Sequence, residues 1–228
     1  MTLARAGTGF FGGAFDPVHR GHLQAAAALR GRLGLQKLWL LPCAESPFPR
    51  RTGEPPPAPA KLRLQWLRQA TQQRGGLGAC GLELERGGPS YTVDTMRILR
   101  ERLGAPPVFA VGSDAFAAIA KWREPRALLG LCNIAVLSRP ARGAARGLAE
   151  YLSAELARDF EFAAGGEQAR HRSAGTWLRR IAIAPLDISS TQVRRRIRRG
   201  EPVRCLLPAA VADAVLASGH YARAREPA

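Results

Sequence analysis

Apolar and polar positions switch repeatedly between two periods along this chain. An apolar segment ending at Phe11 reads as a buried strand. A glycine turn follows, and then GHLQAAAALRGRLG (21–34), whose helical pattern closes at Gly34. KLWLLP (37–42) is a second short strand, whereas CAESPFPRRTGEPPPAPA (43–60) is too rich in proline for regular structure. KLRLQWLRQATQQ (61–73) reads as an amphipathic helix, LGACGLELER (77–86) as a strand with partial alternation, and SYTVDTMRILRERLG (90–104) as a helix capped by Ser90 or Thr92. PPVFAVGSDAFAAIAKW (106–122) predicts a strand, a turn at Gly112 and a helix from about Asp114. CNIAVLSRP (132–140) predicts a strand halted by Pro140. Residues 141–178 carry little pattern. RRIAIAP (179–185) is the last predicted strand, SSTQVRRRIRRG (189–200) a serine-capped helix closed by Gly200, and PAAVADAVLASGHY (208–221) a terminal helix.

Strands alternating with helices predict an α/β fold: a doubly wound, mostly parallel sheet with helices on both faces. Residues 1–228 are expected to form one domain, with 185–228 as its C-terminal helical part. In such sheets ligands sit outside the carboxyl ends of the strands, near the point where strand order reverses. The turns after Phe11, Val111 and Ile183 are therefore expected to face one crevice.

Composition narrows the function classes. The chain has 228 residues, 46% of them hydrophobic, which is enough to bury a core. No run of about 18 apolar residues marks a membrane span, and the first residues lack a secretory pattern, so a cytoplasmic protein is expected. Cys43, Cys80, Cys132 and Cys205 are far apart and form no C-x-x-C pair; they read as reduced core residues. The 34 Lys plus Arg against 18 Asp plus Glu give a net charge of +16, a field that attracts anions. Nearly all the cations are arginine and they are scattered; only RRRIRR (194–199) forms a dense cluster, and no nucleic-acid reader motif is present. Nucleic acid is therefore not the expected partner, and self-association is left open.

The chemistry gathers in GGAFDPVHRGHL (12–23). A glycine turn from strand into helix presents backbone N–H groups and the positive end of a helix dipole to an anion. The spacing is neither G-x-G-x-x-G nor a P-loop. His19 and His22, at i and i+3, lie near one another and can both donate to phosphate oxygens. As half of a metal site they lack a third partner, because His171 and His220 stand in ordinary settings. Asp16, followed by Pro17, reads as a turn element before a metal ligand. Ser189, Ser190 and Thr191 serve equally as a helix cap and as phosphate donors, and Arg194 to Arg199 as a solvated face.

GGAFDPVHRGHL resembles the G-G-[ST]-F-D-P-x-H-x-G-H signature of the nucleotidylyltransferase superfamily, and ISSTQVR (188–194) its second signature, I-S-S-T-x-x-R. Within it, PSYT (89–92), GSD (112–114), KW (121–122) and SRP (138–140) are similar to segments of the bacterial nicotinate-nucleotide adenylyltransferases. Pantetheine-phosphate adenylyltransferases, with a threonine for the first histidine and no P-S-Y-T, match less well.

The resemblance implies adenylyl transfer from ATP to nicotinate mononucleotide, with Mg2+ bound mainly through the ATP phosphates and no metal site on the protein. It assigns His19, His22 and Arg194 to catalysis. Gly12, Gly13, Ala14, Phe15, His22, Gly112, Asp114, Arg139, Ser189, Ser190, Thr191 and Arg194 are assigned to ATP, and Tyr91, Thr92 and Trp122 to the mononucleotide. Nicotinamide mononucleotide and phosphopantetheine are the rival acceptors, and a basic nucleic-acid-binding protein is the alternative of a different class. One departure falls in the proline-rich loop. There the family has a proline pair followed by His and Lys or Arg, whereas Phe48 and Pro49 stand here. Phe48 is thus the expected acceptor contact from this loop, with Arg50 or Arg51 as a substitute charge.

Overall fold

A computed structural model describes residues 7–49, 55–138, 147–184 and 186–222. The chain alternates β1 (Thr8–Gly13), α1 (Arg20–Arg32), β2 (Lys37–Pro42), α2 (Ala60–Thr71) and β3 (Leu77–Ala79). It continues through α3 (Leu82–Arg86), α4 (Thr92–Leu103), β4 (Val108–Gly112), α5 (Ser113–Phe116), α6 (Pro125–Leu131) and β5 (Asn133–Ser138). The last part holds α7 (Ala154–Ala157), β6 (Phe160–Phe162), β7 (Gln168–His171), β8 (Trp177–Ala182), α8 (Ser190–Arg198) and α9 (Ala209–Ala217).

The strands form one eight-stranded sheet in the order β3-β2-β1-β4-β5-β8-β7-β6. The first six are parallel neighbours; β6 and β7 are antiparallel additions at the far edge. Successive side chains on a strand point to opposite faces, so each parallel strand must be apolar on both. Phe10 packs into the cluster under α4 and α6, and its neighbour Phe11 into the cluster under α1, α2 and α9. Chain order reverses between β1 and β4, which places the switch-point crevice at the ends of these two strands.

Several expectations are corrected. LGACGLELER divides into the three-residue β3 and the helical turn α3. Its alternation came from Leu82 and Leu84, yet the chain leaves the sheet at Gly81 and turns Glu83 inward, where its carboxylate accepts a hydrogen bond from Thr95 Oγ1 at 2.9 Å. Neither Ser90 nor Thr92 caps α4. Tyr91 is the cap residue without a side-chain bond, and Ser90 Oγ instead accepts from Ala44 N–H at 2.9 Å. The last parallel strand begins at Trp177, two residues before the predicted segment 179–185, where β7 offers it a second partner. Cys80 and Cys132 are buried, but Cys43 is only partly so and Cys205 is exposed.

Candidate active site

Two cavities open at the carboxyl edge of β1 and β4. The larger, about 630 Å³, is lined by His19, Gly21 and His22 from the start of α1, by Gly112 to Asp114, by Leu137 and Ser138, and by Ile188 to Ser190. The smaller, about 240 Å³, is lined by Gly12 to Ala14, Ser46 to Phe48, Glu83, Ser90 to Val93, Trp122 and Arg123. The turns after β1, β4 and β8 do converge on the larger cavity, as their place in a doubly wound sheet requires.

The histidine pair is built by helix capping. His19 is the N-cap of α1; its Nδ1 accepts from His22 N–H at 3.3 Å, while His22 Nδ1 accepts from His19 N–H at 3.3 Å. The rings stack with centroids 3.6 Å apart. Because each Nδ1 accepts, each ring's remaining proton sits on Nε2. Burial pushes the His19 pKa down to about 4; burial, and then repulsion from His19, pushes that of His22 well below its ordinary value. The pair therefore presents two neutral N–H donors. Gly21 between them leaves room for the first ring: a Cβ there would lie 3.0 Å from His19 Nδ1, a contact the ring could meet only by giving a few tenths of an ångström.

The second signature closes over the first. Ser189 caps α8 by accepting from Gln192 N–H at 3.1 Å, Ser190 Oγ donates to the Pro17 carbonyl at 3.0 Å, and Thr191 Oγ1 accepts from Arg194 Nη2 at 3.2 Å. Arg194 Nη1 donates to the Asp16 carbonyl at 2.8 Å and lies 3.5 Å from its carboxylate. Asp16 also accepts from Ala58 N–H at 2.9 Å and from the Tyr221 hydroxyl at 2.5 Å. Its turn role is thus satisfied by protein donors from three other segments.

Other expected ATP residues are distributed differently. Gly12, Gly13 and Ala14 line the smaller cavity. A Cβ at Gly12 would lie 2.7 Å from the Phe109 ring, which leaves no room for a side chain there unless the ring shifts, and one at Gly13 would sit tightly, 3.0 Å from the Phe15 ring. Phe15 itself is buried between Phe11 and His22, at a left-handed φ of 49°. Gly112 is open, and Asp114 is exposed on the wall of the larger cavity. Arg139, Arg50 and Arg51 lie outside the described residues.

The expected acceptor residues Phe48, Tyr91, Thr92 and Trp122 do come together, around the smaller cavity. Trp122 meets Phe109 edge-on with centroids 6.5 Å apart. α4 begins there without a side-chain cap, and Tyr91, Thr92 and Val93 at its start line the cavity.

Three residues that hold the walls of the site together escaped the sequence reading. Arg63 is 3% exposed and clamps the turn: it donates to the carbonyls of Ala14 at 2.6 Å, Cys43 at 2.7 Å and Ala58 at 2.8 Å. Its signal was a cation on the apolar stripe of α2, beside Trp66, Leu67 and Ala70. Glu83 and Tyr221 had none.

A cytidylyltransferase-like family model matches residues 10–196. A "probable nicotinate-nucleotide adenylyltransferase" of Geobacter metallireducens is 35% identical over 96% of this chain and 99% of its own. One of Chromohalobacter salexigens is 38% identical over 92% and 94%. The chain belongs to the nicotinate-nucleotide adenylyltransferase family. The fold likeness extends to the Plasmodium falciparum nicotinic acid mononucleotide adenylyltransferase complexed with NaAD, at 14% identity with a TM-score of 0.66, covering 94% of this chain and 96% of that one.

Proposed function

We propose that the protein transfers the adenylyl group of ATP to nicotinate mononucleotide, giving nicotinate adenine dinucleotide and pyrophosphate. The observation that carries this reading is the pair of cavities flanking one switch point. One bears two neutral N–H donors and the start of α8, and the other bears Trp122 and the uncapped start of α4. ATP is assigned to the larger cavity and the mononucleotide to the smaller.

In this reaction an oxygen of the mononucleotide phosphate bonds to the α-phosphorus of ATP as the bond to the β-phosphate breaks. Pyrophosphate leaves with the electron pair. The nucleophile is already ionised, so no general base is needed. Catalysis reduces to holding two anions in line and stabilising charge on the phosphoryl oxygens. Nε2–H of His19 and His22 and the N–H groups at the start of α8 are the donors. Arg194 supplies a cation next to them, oriented by Asp16. Magnesium belongs to the substrate as MgATP, held through its phosphates. None of the described helices is long and apolar enough to cross a membrane.

The test measures pyrophosphate release from MgATP with nicotinate mononucleotide, nicotinamide mononucleotide and phosphopantetheine in parallel. Turnover preferring nicotinate mononucleotide is expected; a preference for either rival moves the assignment to it, and no turnover with any refutes adenylyl transfer.

A further inference from the structure

Resting on that reading, we infer that Arg63 is a positioning residue for the acceptor: it lines neither cavity, yet it fixes the wall of the smaller one to the turn between β1 and α1. A buried cation gives up its hydration, and an apolar side chain at this place on α2, like the buried Leu64, Trp66 and Leu67 beside it, would fold with a smaller penalty. The charge is used instead to gather main-chain carbonyls, which are its hydrogen-bond partners among the described residues.

Those carbonyls belong to three segments. Nε donates to Ala58 at 2.8 Å, at the far end of the proline-rich loop, and Nη2 to Cys43 at 2.7 Å and Ala44 at 3.3 Å, at its start. Nη1 donates to Ala14 at 2.6 Å, in the turn after β1. A planar fork holds three such directions at once, which a point charge cannot do. Ala58 is gripped from its other side as well, since its N–H donates to the Asp16 carboxylate at 2.9 Å. Both ends of the loop are thereby tied to the turn that leads to His19. The ties continue along the wall: Cys43 N–H donates to the Gly13 carbonyl at 3.0 Å, Ala44 N–H to Ser90 Oγ at 2.9 Å, and Ser90 N–H to the Glu45 carbonyl at 2.8 Å. Gly13, Ala14, Cys43 and Ser90 all line the acceptor cavity, as do Ser46 to Phe48 just beyond them. One guanidinium thus sets where this wall stands.

The experiment measures KM for nicotinate mononucleotide and for MgATP in the wild type, Arg63→Lys and Ser90→Ala, with thermal unfolding of each. Arg63→Lys keeps the charge without the fork. Its KM for the mononucleotide should rise about tenfold or more, the scale of one charge-assisted hydrogen bond, while KM for ATP changes less than about threefold, within the scatter of a neutral substitution. A purely structural role would lower the unfolding temperature and leave both KM values alone; that result overturns the inference, as does an equal rise in the two. Ser90→Ala leaves the buried cation in place and cuts the next tie, so it should raise KM for the mononucleotide with the same selectivity. If Arg63→Lys does not fold, an unchanged KM in Ser90→Ala overturns the inference by itself, and a selective rise supports it. Absence of turnover by the wild type would instead refute the reading on which the inference rests.

Discussion

Arg194 donates to the main-chain carbonyl of Asp16 across 178 residues of sequence, at 2.8 Å. The late signature is thereby bolted to the turn that carries the histidines, and Tyr221 completes the joint from the end of the described chain. Arg194→Lys keeps the charge but not the fork that spans Asp16 and Thr191. Steady-state kinetics should show kcat lower by about 10²-fold, the scale for losing one preorganised donor, with little change in KM for the mononucleotide.

Tyr221→Phe removes one hydroxyl from a buried joint and leaves the ring against Trp66. The loss of a hydrogen bond to a carboxylate is worth about 1–3 kcal/mol, to be read as a lower urea midpoint at unchanged slope. An unchanged midpoint would show that the Asp16 carboxylate finds another donor.

The histidine pair makes stability depend on pH in a defined direction. His19 titrates at about 4 in the fold against 6.5 ordinarily. Below 6.5 the unfolded chain therefore binds a proton that the fold refuses, so stability rises with pH up to that point and is lost as pH falls. Between pH 6.5 and 4 the loss traceable to His19 is about 3 kcal/mol, and denaturation of His19→Gln against wild type should show a shallower acid slope. Nitrogen chemical shifts at pH 7 should report both rings neutral, protonated at Nε2.

Gly21→Ala places a methyl group 3.0 Å from His19 Nδ1. The ring must shift, and a misplaced donor costs catalysis more than folding. We expect kcat to fall at least about tenfold with an unchanged circular dichroism spectrum; full activity would mean that the cap relaxes without moving Nε2.

Trp122→Ala removes the aromatic wall of the smaller cavity. A face stacked on a cationic pyridinium contributes roughly 0.5–2 kcal/mol beyond burial, so KM for the mononucleotide should rise several-fold while that for ATP stays constant. An unaltered KM for the mononucleotide would place the ring elsewhere.

Periodicity and punctuation carried β1, β2, β4 and β5, whose apolar runs are stopped by Gly13, Pro42, Gly112 and Pro140. The segment 141–178 carried little pattern: within it β6 and β7 have three and four residues, β6 pairs with β7 and β7 with β8, and such short strands owe their place to those partners more than to any local period. α3 was misread because leucines two apart alternate as a strand would, and a helix of five residues is too short to show its own period.

The sequence by itself determined the site's chemical groups and their grouping: two histidines three apart with a glycine between them, and a hydroxyl-rich helix start followed by an arginine. Residues so close in the chain are placed by local helix geometry. Only the tertiary structure decided which glycines face rings and which face open space, that both histidines are neutral donors, and that Asp16 joins Arg194 to Tyr221. Each of these depends on burial or on partners distant in sequence, and those exist only once the sheet has brought β1, β4 and the C-terminal helices to one edge.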